Sequence, residues 1–494
     1  TQSVTITLSA VVGETIKQWQ PHVLSFTSSQ TRNWSEFPLQ VTFTHPQSGT
    51  LLTLDGYWDG GNTWRVRFAP TLSGTWEWTS SSNDAGLNSK FGTIIATTPL
   101  TNDIAGNPNY RGHVKTNNRY FTYADGTPYF LLGDTNWNMV SSNTTPGDEL
   151  DRWIADRKAK GFTAVMTRFM ANGEFAGEGG KMPFYGGGRT DLNDAYFRDV
   201  DERVSYIWEQ GFVVMGHPDW IMGGNAFTLD EGIDISRYMF ARFSAYNIMW
   251  SLTGEFQYAA ENNNHWFWNN YADTRTLGNA VEAHNPYGHP VSIHPGGCGG
   301  DSASTLGGCG GSSSYFHNEA WLDNNWIQTH FTWEAIPGTI REAYDRSPAK
   351  PVIQSEPCYE GMTGGWSPFY GSRAECTSYL ARMQGWISML SGAAGHLYGA
   401  DGLYYADNWN SLSFPGSSAV GYMKNFFTAR SQWWLMTPTL DCISIDGVTL
   451  VNDNMSHPRC AGVAGSFYAA YLPDGISGTV RFKNIVNGTY RAQW

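Results

Sequence analysis

The feature that most restricts the fold is an alternation of short apolar segments with helix-like amphipathic segments over residues 115–437. One helical segment places Tyr196, Val200, Val204 and Ile207 on a single face and ends at Gly211, where an apolar segment begins. Strands separated by helices in this way run parallel in one sheet. The predicted strands are Tyr129–Leu132, Phe162–Thr167, Phe212–Met215, Ile248–Leu252, Pro290–Ile293, Trp326–Thr329, Val352–Gln354 and Ala394–Leu397. Eight such strands predict a closed (β/α)8 barrel, the TIM barrel.

An open, doubly wound sheet is the other arrangement that these units can form. It more often carries a glycine-rich phosphate-binding turn after its first strand. In this chain the first predicted strand leads instead into the segment GDTNW at residues 133–137. The sequence therefore favours the barrel.

Both regions that flank the barrel have the two-residue periodicity of β-strands. Leu39, Val41 and Phe43 alternate with polar residues in the first region, as do Phe467 and Ala469 in the last. The predicted domains are an N-terminal β-sandwich at residues 1–98, a linker at 99–114, the barrel at 115–437 and a small C-terminal β-sandwich at 438–494. We therefore expect a multidomain protein with one α/β and two all-β domains, the last of which ends inside a strand and is incomplete.

Composition excludes several classes of partner. The chain has 44 acidic residues against 31 Lys and Arg, a formal net charge of -13, and no cluster of basic residues, so we expect no nucleic-acid partner. No run approaches the roughly 18 apolar residues of a membrane-spanning helix, so we expect no membrane partner. Aromatic residues make up 15% of the chain, as much as the charged residues, which suits surfaces that stack on sugars. The oligomeric state stays open.

Six cysteines and four Asn-X-Ser/Thr sequons favour an extracellular protein. The cysteines fall into three pairs that are close in sequence, Cys298 with Cys309, Cys358 with Cys376, and Cys442 with Cys460, and this pairing is one of the 15 connectivities that six cysteines allow. The sequons, which predict glycosylation, are at Asn33, Asn143, Asn454 and Asn487. The Cys-X2-Cys spacing of a zinc site does not occur in the sequence. We therefore predict three disulfides and secretion from a eukaryotic cell.

Polar and aromatic residues follow most of the predicted barrel strands. In a β/α barrel the carboxyl ends of the strands surround the reacting groups. The candidate substrate-binding residues at these ends are Asp134, Asn136, Trp137, Arg168, His217, His294 and His330. A Cys358–Cys376 disulfide would hold Tyr359 and Trp366 near the same end, so we include both in the candidate site.

Two glutamates close apolar strands and are the candidate catalytic residues. Glu255 ends predicted strand 4, and Glu356 ends predicted strand 7 on the opposite side of the barrel mouth. Such a pair cleaves glycosidic bonds with retention when the carboxyl groups are about 5 Å apart, and with inversion at wider separation. The alternative is that either glutamate pairs structurally with Arg168 or a histidine, in which case Asp134 is the substitute.

The histidines His217, His294 and His330 have two interpretations. They could form a metal cluster, but histidines at barrel strand ends more often bind substrate hydroxyls or orient a carboxylate. The sequence has no H-E-x-x-H, G-x-S-x-G or phosphate-loop motif, which argues against zinc proteases, serine hydrolases and nucleotide-binding enzymes. We expect neither a metal nor a cofactor.

Three segments resemble known families. Residues 55–70, DGYWDGGNTWRVRFAP, resemble an N-terminal sandwich domain of unknown function that precedes glycosidase barrels. Residues 120–129, YFTYADGTPY, and 132–135, LGDT, are similar to the opening of the apiosidase-like barrel family. The tail resembles a small β-domain labelled as the collagen-binding domain of a collagenase.

The resemblance implies a retaining glycoside hydrolase that cleaves a plant or microbial polysaccharide or oligosaccharide. It implies an acid/base after strand 4 and a nucleophile after strand 7, here Glu255 and Glu356, although that family often has Asp at the position of Glu255. The alternatives are a non-catalytic carbohydrate- or matrix-binding protein and a collagenase-like peptidase. The sequence does not name the sugar, the linkage, or endo or exo action.

Overall fold

The structure, a computed structural model, describes residues 13–142, 144, 146–171, 176–186, 190–218, 227–256, 270–297, 311–363, 374–439, 442–449, 455, 458–473, 478–483 and 485–493. The first described domain is a β-sandwich. Its strands are β1 (Glu14–Lys17), β2 (His22–Thr27), β3 (Leu39–His45), β4 (Thr50–Asp55), β5 (Tyr57–Trp58), β6 (Thr63–Phe68), β7 (Gly74–Ser82) and β8 (Phe91–Thr97). They form sheets with the orders β1-β8-β7-β3-β4 and β2-β6-β5, and Phe43 stacks on Phe68 between the sheets at a centroid distance of 3.9 Å. The predicted sandwich is confirmed.

A short helix, α1 (Thr101–Gly106), and a small antiparallel sheet lead into the barrel. The strands of this sheet are β9 (Lys115–Asn117), β10 (Tyr120–Thr122) and β11 (Pro128–Tyr129). The hydroxyl of Tyr129 donates to the carbonyl of Thr163, and the backbone amide of Val114 donates to the side chain of Asn247. The two acceptor residues, Thr163 and Asn247, each directly precede a barrel strand. The sheet therefore lies at the amino ends of the barrel strands.

Eight parallel strands form the barrel. They are β12 (Leu131–Thr135), β13 (Ala164–Arg168), β14 (Val213–His217), β15 (Ile248–Ser251), β16 (Val291–Ser292), β17 (Asn325–His330), β18 (Val352–Pro357) and β19 (Gly395–Tyr398). The helices are α2 (Glu149–Ala159), α3 (Asp194–Glu209), α4 (Leu229–Phe243), α5 (Tyr271–Ala283), α6 (Ser313–Phe316), α7 (Ile336–Asp345), α8 (Ser378–Ser391) and α9 (Pro415–Thr428). The sheet order β16-β15-β14-β13-β12-β19-β18-β17 places the two ends of the sheet at β16 and β17.

Hydrogen bonds join β16 to the two residues directly before β17. The amide of Asp323 donates to the carbonyl of Val291 at 2.9 Å, and the hydroxyl of Ser292 donates to the carbonyl of Asn324 at 2.8 Å. The predicted barrel and its parallel topology are therefore confirmed. The strand bounds differ from the prediction mainly in β12, which begins at Leu131 rather than Tyr129 because Tyr129 belongs to β11.

The C-terminal region is antiparallel and packs on the barrel. Its strands are β20 (Thr437–Thr439), β21 (Ile443–Ile445), β22 (Val448–Thr449), β23 (Arg459–Val463), β24 (Phe467–Tyr471) and β25 (Val480–Phe482), in sheets β20-β23-β24 and β22-β21-β25. Trp386 of α8 stacks on Tyr471 at 5.6 Å. With these strands, the predicted combination of one α/β and two all-β domains is confirmed.

Buried ion pairs bind the N-terminal sandwich to the barrel helices. Asp59, after β5, accepts a hydrogen bond from Arg242 of α4 at 2.9 Å, and neither side chain is exposed. Arg242 also pairs with Asp201 of α3 at 2.5 Å, and Arg67 of β6 donates to the same carboxylate at 2.9 Å. The charges are therefore paired across the interface rather than buried alone, as their desolvation requires.

Candidate active site

The two candidate catalytic glutamates both lie at the carboxyl end of the barrel. Glu356 belongs to β18, and Glu255 lies four residues after the end of β15. Their exposed fractions are 5% and 8%, so each carboxyl group is largely removed from water. A buried carboxylate needs hydrogen-bond donors, and each of the two has its own.

Two side chains hold the carboxylate of Glu356. The phenol of Tyr359 donates to Oε1 at 2.6 Å, and Nε2 of His294 lies 3.1 Å from Oε2. The indole of Trp137 in turn donates to the Tyr359 hydroxyl at 3.2 Å. Burial by itself raises the pKa of such a group, but His294 and Tyr359 lower the pKa of Glu356 below its ordinary value. Glu356 is therefore ionised near neutral pH.

Contacts at both ring nitrogens orient the imidazole of His294. Its Nδ1 lies 2.9 Å from the carbonyl oxygen of Pro295, which can only accept a hydrogen bond. Its Nε2 lies 3.1 Å from Oε2 of Glu356. The ring is therefore held with Nε2 directed at the carboxylate.

Glu255 has a different partner. The side-chain amide of Gln328, in β17, donates to Oε1 of Glu255 at 3.0 Å. The backbone of Glu255 has a φ of +47°, a left-handed conformation that residues other than glycine rarely adopt. Such conformations persist where the surrounding structure holds them, and they are common at active sites.

Four rings close the barrel lumen beneath the carboxylates. Trp137 lies 5.3 Å from His217 and 5.6 Å from His294, and Trp326 of β17 lies 5.7 Å and 5.9 Å from the same two histidines. Burial and the nearby His294 hold the pKa of His217 well below its ordinary value, so its ring is neutral. The barrel lumen beside the carboxylates is therefore lined by buried aromatic rings.

His330 and Arg168 lie at the same end of the barrel. His330 ends β17 with a φ of +45°, and its ring lies 5.7 Å from Tyr359. Burial lowers the pKa of His330, and the charge of Glu356 opposes this effect. Arg168 ends β13 and donates from Nε and Nη2 to the side-chain oxygen of Asn138, at 3.1 Å and 2.5 Å.

Asp134 is directed away from the carboxylates. Its Oδ2 accepts hydrogen bonds from Arg157 at 2.6 Å and from Trp153 at 2.8 Å, both on α2. Burial outweighs the effect of Arg157 and raises the pKa of Asp134. Since Asp134 lies within β12 rather than after it, strand alternation turns its side chain toward the helix layer. Asn136 follows β12 and is fully buried, and its side-chain oxygen accepts from the amide of Asn138 at 3.3 Å.

Other predicted residues fall into two groups. The structure contains the disulfides Cys358–Cys376 and Cys442–Cys460, and Asn33 and Asn487 are exposed. Trp366, Cys298, Cys309, Asn143 and Asn454 lie outside the described residues. Among the described residues, no three His, Cys, Asp or Glu side chains are placed to hold a metal ion, and no helix is long and apolar enough to cross a membrane.

Sequence reasoning missed Gln328, Trp326 and Asn138. Gln328 and Trp326 lie inside a segment that the sequence correctly predicts to be a strand. Only the side of the strand on which each residue lies could have indicated that it belongs to the site. A buried glutamine in an apolar barrel strand is a usable signal, because its amide needs a partner. Asn138 lies in the turn after β12, and no local pattern distinguishes it.

Solved structures with this architecture include several glycoside hydrolases. A proposed glycoside hydrolase from Bacteroides vulgatus ATCC 8482 superposes with a TM-score of 0.67 at 19% identity, over 91% of this chain and 84% of the other. A glycoside hydrolase family 5 protein from the same organism gives a TM-score of 0.58 at 19% identity, over 72% and 79% of the two chains. A third glycoside hydrolase gives 0.58 at 18% identity, over 72% and 84%. The fold is thus one that glycoside hydrolases use.

The sequence also matches two families. The apiosidase-like catalytic domain matches residues 115–434, and a domain of unknown function, DUF5060, matches residues 15–83. Because the first match spans more than half of the 494 residues, the chain belongs to the apiosidase-like catalytic domain family. The predicted class of enzyme, a glycoside hydrolase, is confirmed. No curated protein matches the chain significantly.

Proposed function

We propose that the protein is a retaining glycoside hydrolase in which Glu356 is the nucleophile and Glu255 the general acid/base. The observation that carries the proposal is the environment of Glu356, whose pKa is lowered although its carboxyl group is buried. A nucleophile must be ionised, and the bonds from His294 and Tyr359 favour that state. The side-chain amide of Gln328, which donates to Glu255, adds no positive charge beside it, and in this proposal Glu255 carries the proton that the leaving group receives.

These roles define a double displacement. In the first step a carboxylate oxygen of Glu356 bonds to the anomeric carbon, the bond to the leaving oxygen breaks, and Glu255 gives its proton to that oxygen. In the second step Glu255 takes a proton from water, and the water oxygen displaces Glu356 from the anomeric carbon. Two inversions at one carbon retain its configuration.

The substrate in this proposal is a plant or microbial polysaccharide or oligosaccharide. Aromatic rings and buried hydrogen-bonding groups suit the alternating apolar and hydroxyl surfaces of a sugar. The residues proposed to bind it are Asn136, Trp137, Arg168, His217, His294, His330 and Tyr359. The two disulfides support an oxidising, extracellular location.

Product stereochemistry tests the mechanism. A panel of polysaccharides is first screened for release of reducing sugar, and hydrolysis of the best substrate is then followed by proton NMR. We expect the first anomer formed to have the configuration of the substrate. Formation of the opposite anomer would show inversion and exclude the double displacement.

Replacement of Glu356 tests the assignment of the nucleophile. Glu356→Gln should lower kcat by several orders of magnitude with an unchanged unfolding midpoint. The matched control is Glu360→Gln. Glu360 accepts hydrogen bonds from Tyr398 and the amide of Gly416, so its replacement should lower stability and retain turnover. Activity of Glu356→Gln above about a tenth of wild type contradicts the assignment.

A further inference from the structure

Gln328 connects the two catalytic glutamates. Its backbone lies opposite Glu356 in the register of β17 and β18, while its side chain donates to Glu255 at 3.0 Å. Gln328 is only 4% exposed, so its side-chain amide is almost completely shielded from water.

An irregular strand pairing places Gln328 in this position. Ile327 pairs with Gln354 and Gln328 with Glu356, so β18 has one extra residue between the two pairs. His330 then pairs with Pro357, which leaves an extra residue in β17. Bulges of this kind change the direction of side chains and are common beside active sites. Here they bring a neutral donor next to the strand that carries the nucleophile.

We infer that Gln328 is a positioning residue that determines which oxygen of Glu255 exchanges the proton. The inference rests on the proposed function, in which Glu255 is the acid/base. The oxygen that accepts the amide N–H of Gln328 is Oε1. In a neutral carboxylic acid the carbonyl oxygen is the better acceptor and the other oxygen carries the proton. Oε2 therefore delivers the proton to the leaving group and recovers one from water.

The chemistry of the amide suits this role. Gln328 does not titrate, so its hydrogen bond persists whether Glu255 is neutral or ionised. It also adds no charge between two carboxylates that must hold different protonation states in the same step. An N–H donor favours the ionised carboxylate, which assists departure of the proton from Glu255.

Two substitutions of Gln328 test the inference. Gln328→Met keeps the length of the side chain and removes the amide, and Gln328→Asn keeps the amide but withdraws it by one methylene. For both we expect kcat/KM to fall about 10- to 100-fold on substrates with poor leaving groups, as for loss of a hydrogen bond to a charged group. Dinitrophenyl glycosides, which need no proton, should lose less than about 3-fold. The basic limb of the pH–rate profile should move to higher pH, because Glu255 then holds its proton more tightly.

Gln354→Met is the matched control. Gln354 is also a fully buried barrel glutamine, but its amide donates to the hydroxyl of Thr329 at 2.6 Å. Its replacement should lower the unfolding midpoint without changing the dependence on the leaving group or the position of the basic limb. Thermal unfolding of all three variants separates loss of stability from loss of positioning.

The outcomes distinguish this inference from the proposed function. If Glu255→Gln behaves as a loss of the acid/base while both Gln328 variants lose activity equally on good and poor leaving groups, the positioning role is overturned and the function stands. If a folded Gln328 variant keeps the basic limb of its pH–rate profile at the wild-type position, the positioning role is also overturned and the proposed function stands. If Glu255→Gln itself shows no dependence on the leaving group, the function and the inference fail together.

Discussion

Tyr359 donates a 2.6 Å hydrogen bond to Oε1 of Glu356, the residue three positions before it in the chain. The chain between them passes the end of β18 at Pro357, and Glu360 still pairs in parallel with Ala400, so the partner of the proposed nucleophile comes from the same segment. Cys358 lies between the two residues and is joined to Cys376. The local chain, its disulfide and the carboxylate thus form one unit.

Tyr359→Phe removes this hydrogen bond and little volume. A hydrogen bond to a charged group contributes about 1.5–3 kcal/mol, so we expect kcat to fall roughly 10- to 100-fold. Because Tyr359 lowers the pKa of Glu356, the acidic limb of the pH–rate profile should move to higher pH. The control is Tyr404→Phe, since Tyr404 packs against Tyr359 at 5.0 Å but no described hydrogen bond joins its hydroxyl to either carboxylate. An unchanged acidic limb would contradict the role of Tyr359.

The two disulfides offer a matched comparison. Cys358–Cys376 and Cys442–Cys460 both have a sequence separation of 18, so their loop-closure contributions are similar, about 3 kcal/mol each. Replacing either pair with serine should therefore lower the unfolding midpoint. Only the Cys358/Cys376 double variant should also lower kcat, because only that loop carries Tyr359. If both double variants have the same kcat when measured below their unfolding temperatures, the Cys358–Cys376 disulfide does not contribute to catalysis.

Glu255→Gln should behave as the loss of a proton donor. We expect a large defect on unactivated substrates, a much smaller one on dinitrophenyl glycosides, and loss of the basic limb of the pH–rate profile. Azide should restore turnover and give a glycosyl azide of retained configuration, because no base is needed for an anionic nucleophile. Equal defects on both substrates without azide rescue would remove Glu255 from the acid/base role.

Arg242→Met should uncouple the sandwich from the barrel. The substitution removes the cation that Asp59 and Asp201 share, but Arg65 and Arg67 remain beside them. We therefore expect a cost above that of an exposed pair but below the about 3–5 kcal/mol of a buried charge left without any partner. Urea unfolding followed by tryptophan fluorescence measures this loss. Glu342→Ala is the control, because it breaks an exposed ion pair with Arg346 and should cost less than about 1 kcal/mol. A similar cost for both variants would contradict a stabilising interface.

The buried side chain of His289 should make the protein less stable at acidic pH. Burial, with a smaller effect of the Lys115 charge, lowers its pKa from 6.5 to about 3. The unfolded chain therefore binds a proton that the folded chain does not, and stability is lost as pH falls from 6.5 toward 3. This residue alone contributes a slope of about 1.4 kcal/mol per pH unit within that window. His289→Gln should reduce the measured slope of unfolding free energy between pH 6 and 4 by about that amount. An unchanged slope would show that His289 is not the titrating group.

The sequence alone determines the architecture, because strand and helix periodicities are local properties of the chain. The alternation of apolar strands and amphipathic helices was sufficient to predict eight parallel strands, and the two-residue periodicity predicted the flanking sandwich. Glu255 and Glu356 could be chosen for the same reason, since each ends an apolar segment and the fold brings such ends together.

Tertiary structure decided which side chains meet. A shift of one residue in a strand turns every side chain to the opposite face, so the bounds of β12 decided that Asp134 binds α2 rather than lining the lumen. Gln328 and Glu255 are 73 residues apart, and their contact depends on the bulges between β17 and β18. Such irregularities arise from packing around the whole barrel, and no periodicity in the chain encodes them.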